Sequence, residues 1–113
     1  MPSDSDGSVG VTIIAAGDGK FPKRGQIVSI HYDAFILDGN QWDSTRKREK
    51  PLRFRMGQGQ VIPGLDEGIE QLSLAGKARL VIPAHLAYGK RGFPGLVPPD
   101  TAVIFDVELM EIV

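Results

Sequence analysis

The chain contains no cysteine. That excludes a disulfide framework, a thiol nucleophile, a Cys-x-x-Cys redox pair and a zinc knuckle, and it fits a reducing compartment. Histidine is scarce as well, with two residues, His31 and His85, far apart in the chain. Without a third ligand nearby they make a poor metal site. Net charge is −1, so no overall field draws the protein onto nucleic acid or an anionic membrane. No apolar run approaches the roughly 20 residues that span a bilayer. The opening Met1-Pro2-Ser3-Asp4-Ser5-Asp6-Gly7 lacks the basic and apolar regions of a secretion signal. These absences predict a soluble, cytoplasmic protein with neither nucleic-acid nor membrane partners; a monomer is expected.

The 113 residues suffice for one domain that folds without metal or disulfide staples. Residues 1–8, mostly Ser, Asp and Gly, read as a disordered tail, leaving 9–113 as the domain. The dominant period there is two. Val28, Ile30, Tyr32, Ala34 and Ile36 fall on one alternation, as do Leu52, Phe54 and Met56; Ala78, Leu80 and Ile82; and Val103, Phe105, Val107 and Leu109. With a first strand near 9–14, this predicts an antiparallel sheet with one buried face. One stretch is helical. Pro63 suits the first turn, Leu65, Ile69 and Leu72 recur at helical spacing, and Asp66 and Glu67 favour the N-terminal end. Gly76 reads as the terminator. Such a short helix holds only if packed, which predicts an α+β fold with the helix laid across the apolar face of the sheet. Asp38-Gly39 signals a hairpin turn. Residues 88–99 form a long Gly/Pro-rich loop of the kind that is often functional.

Familiar catalytic sets are missing. Ser44 and Thr45 have no evident histidine partner, which argues against a hydrolase triad. Gly57-Gln58-Gly59 lacks the Lys-Ser/Thr and the βαβ setting of a phosphate loop. The basic run Arg46-Lys47-Arg48-Glu49-Lys50 is interrupted by Glu49 and reads as a solvated loop. What remains is a scatter of aromatic side chains at strand ends and loops, chiefly Tyr32, Trp42 and Tyr88. Aromatic-lined concavities with a few polar groups are typical small-ligand sites.

Seven blocks follow one another in order: Phe21-Pro22-Lys23-Arg24-Gly25-Gln26, Val28-Ser29-Ile30-His31-Tyr32, Trp42-Asp43-Ser44-Thr45-Arg46-Lys47-Arg48, Gly59-Gln60-Val61-Ile62-Pro63-Gly64, Leu86-Ala87-Tyr88-Gly89, Gly92-Phe93-Pro94-Gly95-Leu96-Val97-Pro98-Pro99 and Phe105-Asp106-Val107-Glu108-Leu109. Over 11–113 the chain resembles the FK506-binding (FKBP) family of peptidyl-prolyl cis/trans isomerases. The resemblance implies a half-wrapped antiparallel sheet with a short helix across it, and between them an apolar pocket for a prolyl ring. It implies catalytic positions at Tyr32, Asp43, Ile62, Tyr88 and Phe105. It further implies ligand contacts from Trp42, Leu52, Val61, Leu65, Phe93, Leu96 and Val97, with Gln60 at the rim and Arg48 orienting Asp43. No cofactor is implied. The implied partners are Pro-containing peptides and proteins, the macrolides FK506 and rapamycin, and calcineurin through a drug complex.

Three positions depart from the family pattern. Leu65 stands where the pocket floor is usually tryptophan, Trp42 where the wall is usually phenylalanine, and Leu52 where phenylalanine is frequent. A reshaped pocket follows, and with it the alternative of an FKBP-like binding module with little turnover.

Overall fold

Alternating apolar residues become strands where a second strand can take up their backbone groups, and six do so in the computed structural model, which describes residues 8–113. The tail expected over 1–8 therefore lies, except for Ser8, outside the described residues. In chain order the elements are β1 (Gly10–Ala15), β2 (Ile27–Ile36), β3 (Gln41–Ser44), α1 (Thr45–Arg48), β4 (Leu52–Arg55), α2 (Pro63–Ile69), β5 (Lys77–Ile82), a 3₁₀ turn (Ala84–Leu86) and β6 (Val103–Ile112). All pairings are antiparallel, in the order β1-β5-β6-β2-β3, and β4 pairs with the other half of the β2 edge. β3 and β4 thus act as one edge strand interrupted by α1.

The period-two residues all point to one face. Val28, Ile30 and Ala34 of β2, Leu80 and Ile82 of β5, and Val103 and Leu109 of β6 are closed to solvent. α2 seals this face with Leu65 and Ile69, followed by Leu72 just beyond it. Gly64 and Gly68 let the helix axis approach closely. A Cβ built on Gly64 would lie 2.3 Å from Ile82 Cγ2, and one on Gly68 would lie 2.5 Å from Leu80 Cδ1.

Two sequence expectations need correction. The helix does not run on to Gly76; it stops at Ile69, and tight bonds from Gln71 N to Gly68 O and Leu72 N to Ile69 O close the turn. Gly76 instead belongs to the bend entering β5, where its carbonyl accepts from Leu109 N. The second correction is α1: the basic run expected as a solvated loop begins as a helical turn, one that carries no apolar period. It forms because Ser44 caps it, its Oγ accepting from Lys47 N, and because Thr45 is buried beneath it.

Candidate active site

The site is built around a bulge. Asp43 pairs with Ala34 and Gln41 with Phe35, so Trp42 is the extra residue of β3. In a regular strand two successive side chains take opposite faces; a bulge re-aims one of them. Here it lets both neighbours reach the same region. Asp43 accepts a 2.6 Å hydrogen bond from the Tyr32 hydroxyl, while the Trp42 ring packs nearly perpendicular to Tyr88, Phe93 and Phe105, with centroids 5.7, 6.0 and 5.8 Å away. Tyr32 and Phe105 face each other across β2 and β6 at 5.0 Å, and Tyr88 and Phe93 lie 5.2 Å apart. Five aromatic rings from β2, β3, β6 and the 83–102 connection therefore form one cluster.

A carboxylate at its edge is held from three sides. Besides Tyr32, Asp43 accepts from Ser44 N at 2.8 Å and pairs with Arg48 through the guanidinium Nη1. The helical turn α1 folds Arg48 back onto a residue only five positions earlier. Burial alone pushes the Asp43 carboxyl up, but these hydrogen bonds and the Arg48 charge outweigh it and hold the group below the usual carboxylate range. The opposite holds for the phenols. Burial, reinforced by Asp43, pushes Tyr32 up to about 12, and burial followed by the Asp43 charge raises Tyr88. The site thus presents an ionised carboxylate and two neutral phenols throughout the neutral range.

Behind Tyr32 lies Thr45, which supports the strand that carries the phenol rather than any hydrolase triad. The Oγ1 of Thr45, fully buried, accepts from Tyr32 N at 2.7 Å, lies 3.2 Å from Tyr32 O, and contacts His31 Nδ1 at 2.9 Å. This fixes the backbone that carries the phenol. The local signal was the capping serine next to a threonine at the end of a short strand.

Ile62 enters α2 extended, as the residue before a proline must be. Its carbonyl accepts from Leu65 N and Asp66 N, whereas its own N–H engages no group among the described residues. Leu65 is buried beneath, and Val61 and Leu52 pack half-buried against the core. The Gly/Pro-rich loop has structure of its own. Phe93 N donates to Val97 O and Val97 N to Phe93 O, so Val97 is buried while the rim is pinned. Gly92 has φ +69, and a Cβ there would meet Val97 O at 2.5 Å.

Gln60, expected at the rim, and Leu96, expected in the lining, each border a further cleft. The Gln60 side-chain Oε1 accepts from Arg55 N, beside a cleft lined by Ile27, Arg53 and Phe54. Leu96 is exposed and lines a cleft with Arg91, Pro94, Val97 and Pro98. Two of the four cations in the basic run 46–50 are ion-paired: Arg46 bridges Asp33 and Glu108 and Arg48 meets Asp43, while Lys47 donates to the Gln41 side chain.

Comparison with known proteins agrees in sequence and in shape. The family model described as FKBP-type peptidyl-prolyl cis-trans isomerase matches residues 18–110. The "FK506-binding protein 1" of Debaryomyces hansenii is 52% identical over 103 residues, covering 90% of this chain and 92% of its own. The Drosophila melanogaster "Peptidyl-prolyl cis-trans isomerase Fkbp12" is 48% identical, covering 92% and 97%. Among solved structures, AtFKBP13 superposes with a TM-score of 0.87 at 34% identity, covering 93% of each chain. FkpA from Escherichia coli gives 0.84 at 40% identity, covering 92% of this chain and 47% of FkpA.

Proposed function

Because the chain belongs to the FKBP-type peptidyl-prolyl cis-trans isomerase family, we propose that its aromatic cluster binds the prolyl ring of a peptide and turns the preceding amide through its twisted form. The observation carrying this reading is the convergence of Tyr32, Trp42, Tyr88, Phe93 and Phe105 on one spot beside a carboxylate that is already fully engaged.

Rotation about an amide C–N bond costs about 18–20 kcal/mol because resonance must be broken. Water hydrogen-bonded to the carbonyl favours the planar, charge-separated form. A site walled by ring edges replaces that water and favours the twisted amide instead. The free Ile62 N–H and the Tyr88 hydroxyl are donors for carbonyls flanking the bond, which hold the peptide in the rotating pose. A thousandfold acceleration needs about 4 kcal/mol of preferential binding. Asp43 serves as an acceptor that fixes Tyr32, with Arg48 holding it in place. Twisting an amide moves no proton, so the carboxylate has none to transfer.

The name of the Debaryomyces hansenii relative supports a further step: the same cluster takes FK506 in place of a peptide. Exchange NMR tests both claims. Uncatalysed Xaa-Pro exchange takes tens to hundreds of seconds; substoichiometric protein should bring it into the range of exchange cross-peaks, and FK506 should suppress the effect. Binding of the peptide without acceleration would instead favour a module that holds proline without turning it.

The pH profile should be flat between about pH 6 and 8. Asp43 is depressed, so its contribution is complete above its ordinary value and is lost only in acid. Tyr32 and Tyr88 are raised, so they keep their protons until well into alkali. A bell-shaped kcat profile that disappears in Asp43→Asn would replace this mechanism with acid–base chemistry.

A further inference from the structure

Among the buried side-chain nitrogen and oxygen atoms of the described residues, Trp42 Nε1 alone has no hydrogen-bond partner. A buried N–H left unmade forfeits the hydrogen bond it had in water, and each such group in a folded protein needs an explanation. Packing does not supply one. The three perpendicular ring contacts of Trp42 are edge-to-face arrangements that a phenyl ring makes equally well. The ring faces around it are at best weak acceptors, second-order beside a carbonyl oxygen. The bulge, moreover, makes Trp42 the unpaired residue of its strand, next to the Asp43 that holds Tyr32.

We propose that Trp42 Nε1–H is a substrate donor, giving its hydrogen bond to a backbone carbonyl flanking the rotating Xaa-Pro bond. This rests on the prolyl-peptide reading above. The acceptor is not the carbonyl of the rotating amide itself. A donor held on that oxygen would favour the planar form and slow the rotation. On a flanking carbonyl the bond is made equally in the planar and twisted states, so it strengthens binding and leaves the barrier alone. Trp42 is then a positioning and specificity residue that favours peptides whose neighbouring carbonyl is free to accept.

The chain has a single tryptophan, so one indole ¹H–¹⁵N resonance reports the bond. On saturation with an Xaa-Pro peptide that proton should move downfield and exchange more slowly with solvent. Ring-current changes are controlled with two ester analogues of the peptide, each weakening the acceptor strength of one flanking carbonyl. One of them should bind about three- to tenfold more weakly and return the resonance toward its free position. In Trp42→Phe, KM should rise by a similar factor with kcat within about twofold. An indole proton unmoved at saturation, or two ester analogues that bind like the parent, overturns the proposal. A fall in kcat with KM unchanged overturns it too, since the donor would then act on the reacting amide. If Trp42→Phe does not fold, the indole resonance across the ester series on the wild-type protein decides alone, because affinity by itself also reports the Ile62 and Tyr88 donors. Binding and the indole shift need no turnover. A shift without catalysis therefore upholds this inference while rejecting the isomerase mechanism, and catalysis without a shift does the reverse.

Discussion

Replacing Gly64 by alanine should destabilise the protein by about 1–3 kcal/mol, although alanine is the better helix former by about 1 kcal/mol. The reason lies in the seam between α2 and β5. The new methyl would sit 2.3 Å from Ile82 Cγ2, 3.0 Å from Cγ1 and 3.1 Å from Cδ1. Ile82 is fully buried and β-branched, so it has one comfortable χ1 and nowhere to turn. The helix must lift instead, carrying Ile62 and Leu65 away from the aromatic cluster. Thermal unfolding should show the loss, and kcat/KM should fall with it. Gly68→Ala should behave alike but more mildly, because its clash is with the ends of Leu80. Combining Gly64→Ala with Ile82→Ala gives the discriminating measurement. The glycine replacement should cost much less in that background, a non-additivity expected of residues in contact. Equal cost in both backgrounds, or a stabilised single variant, would mean that the helix does not approach the sheet as described.

That seam also shows what the sequence could and could not disclose. The inner-face residues were legible because period two is a local property: Ile30, Ala34, Leu80 and Val107 each announce their side through their neighbours. The α2 register was legible for the same reason. The β3 bulge was not. Whether Trp42 or Asp43 is the unpaired residue depends on how β3 aligns with Ala34 and Phe35 of β2, and no local pattern encodes that register. Yet the bulge alone brings two successive side chains to one site. α1 was hidden because four polar residues have no apolar rhythm; a cap and one buried threonine make it. Gly76 misled because a glycine before a strand looks like a glycine after a helix. The aromatic members of the cluster came from matched motif blocks, since Tyr88 and Phe93 lie in a loop whose course periodicity does not describe. The hydrogen bond of the Gln60 side chain to Arg55 N, and the cleft that Leu96 shares with Pro94 and Pro98, are specified by no motif.

Introducing the missing indole at the floor should harm rather than help. Leu65 is 2% exposed and belongs to the core beneath the cluster, and the Trp42 ring already packs on three neighbouring aromatic side chains. A second indole adds volume where none is free, and overpacking of this kind costs about 1–3 kcal/mol. Leu65→Trp should therefore weaken peptide and macrolide binding by roughly ten- to a hundredfold, since each 1.4 kcal/mol is a factor of ten. Trp42→Phe in the same chain should relieve the crowding. The double variant should regain most of the affinity, less the contribution of the indole N–H. Titration calorimetry on the four members of the cycle gives the coupling between the two positions directly. In the Leu65 background, Trp42 fluorescence should respond to ligand, because no other tryptophan obscures it. Strictly additive affinities together with a silent fluorophore would place Trp42 outside the binding site. Tighter binding by Leu65→Trp alone would show instead that open space remains at the floor and that the present cluster is underfilled.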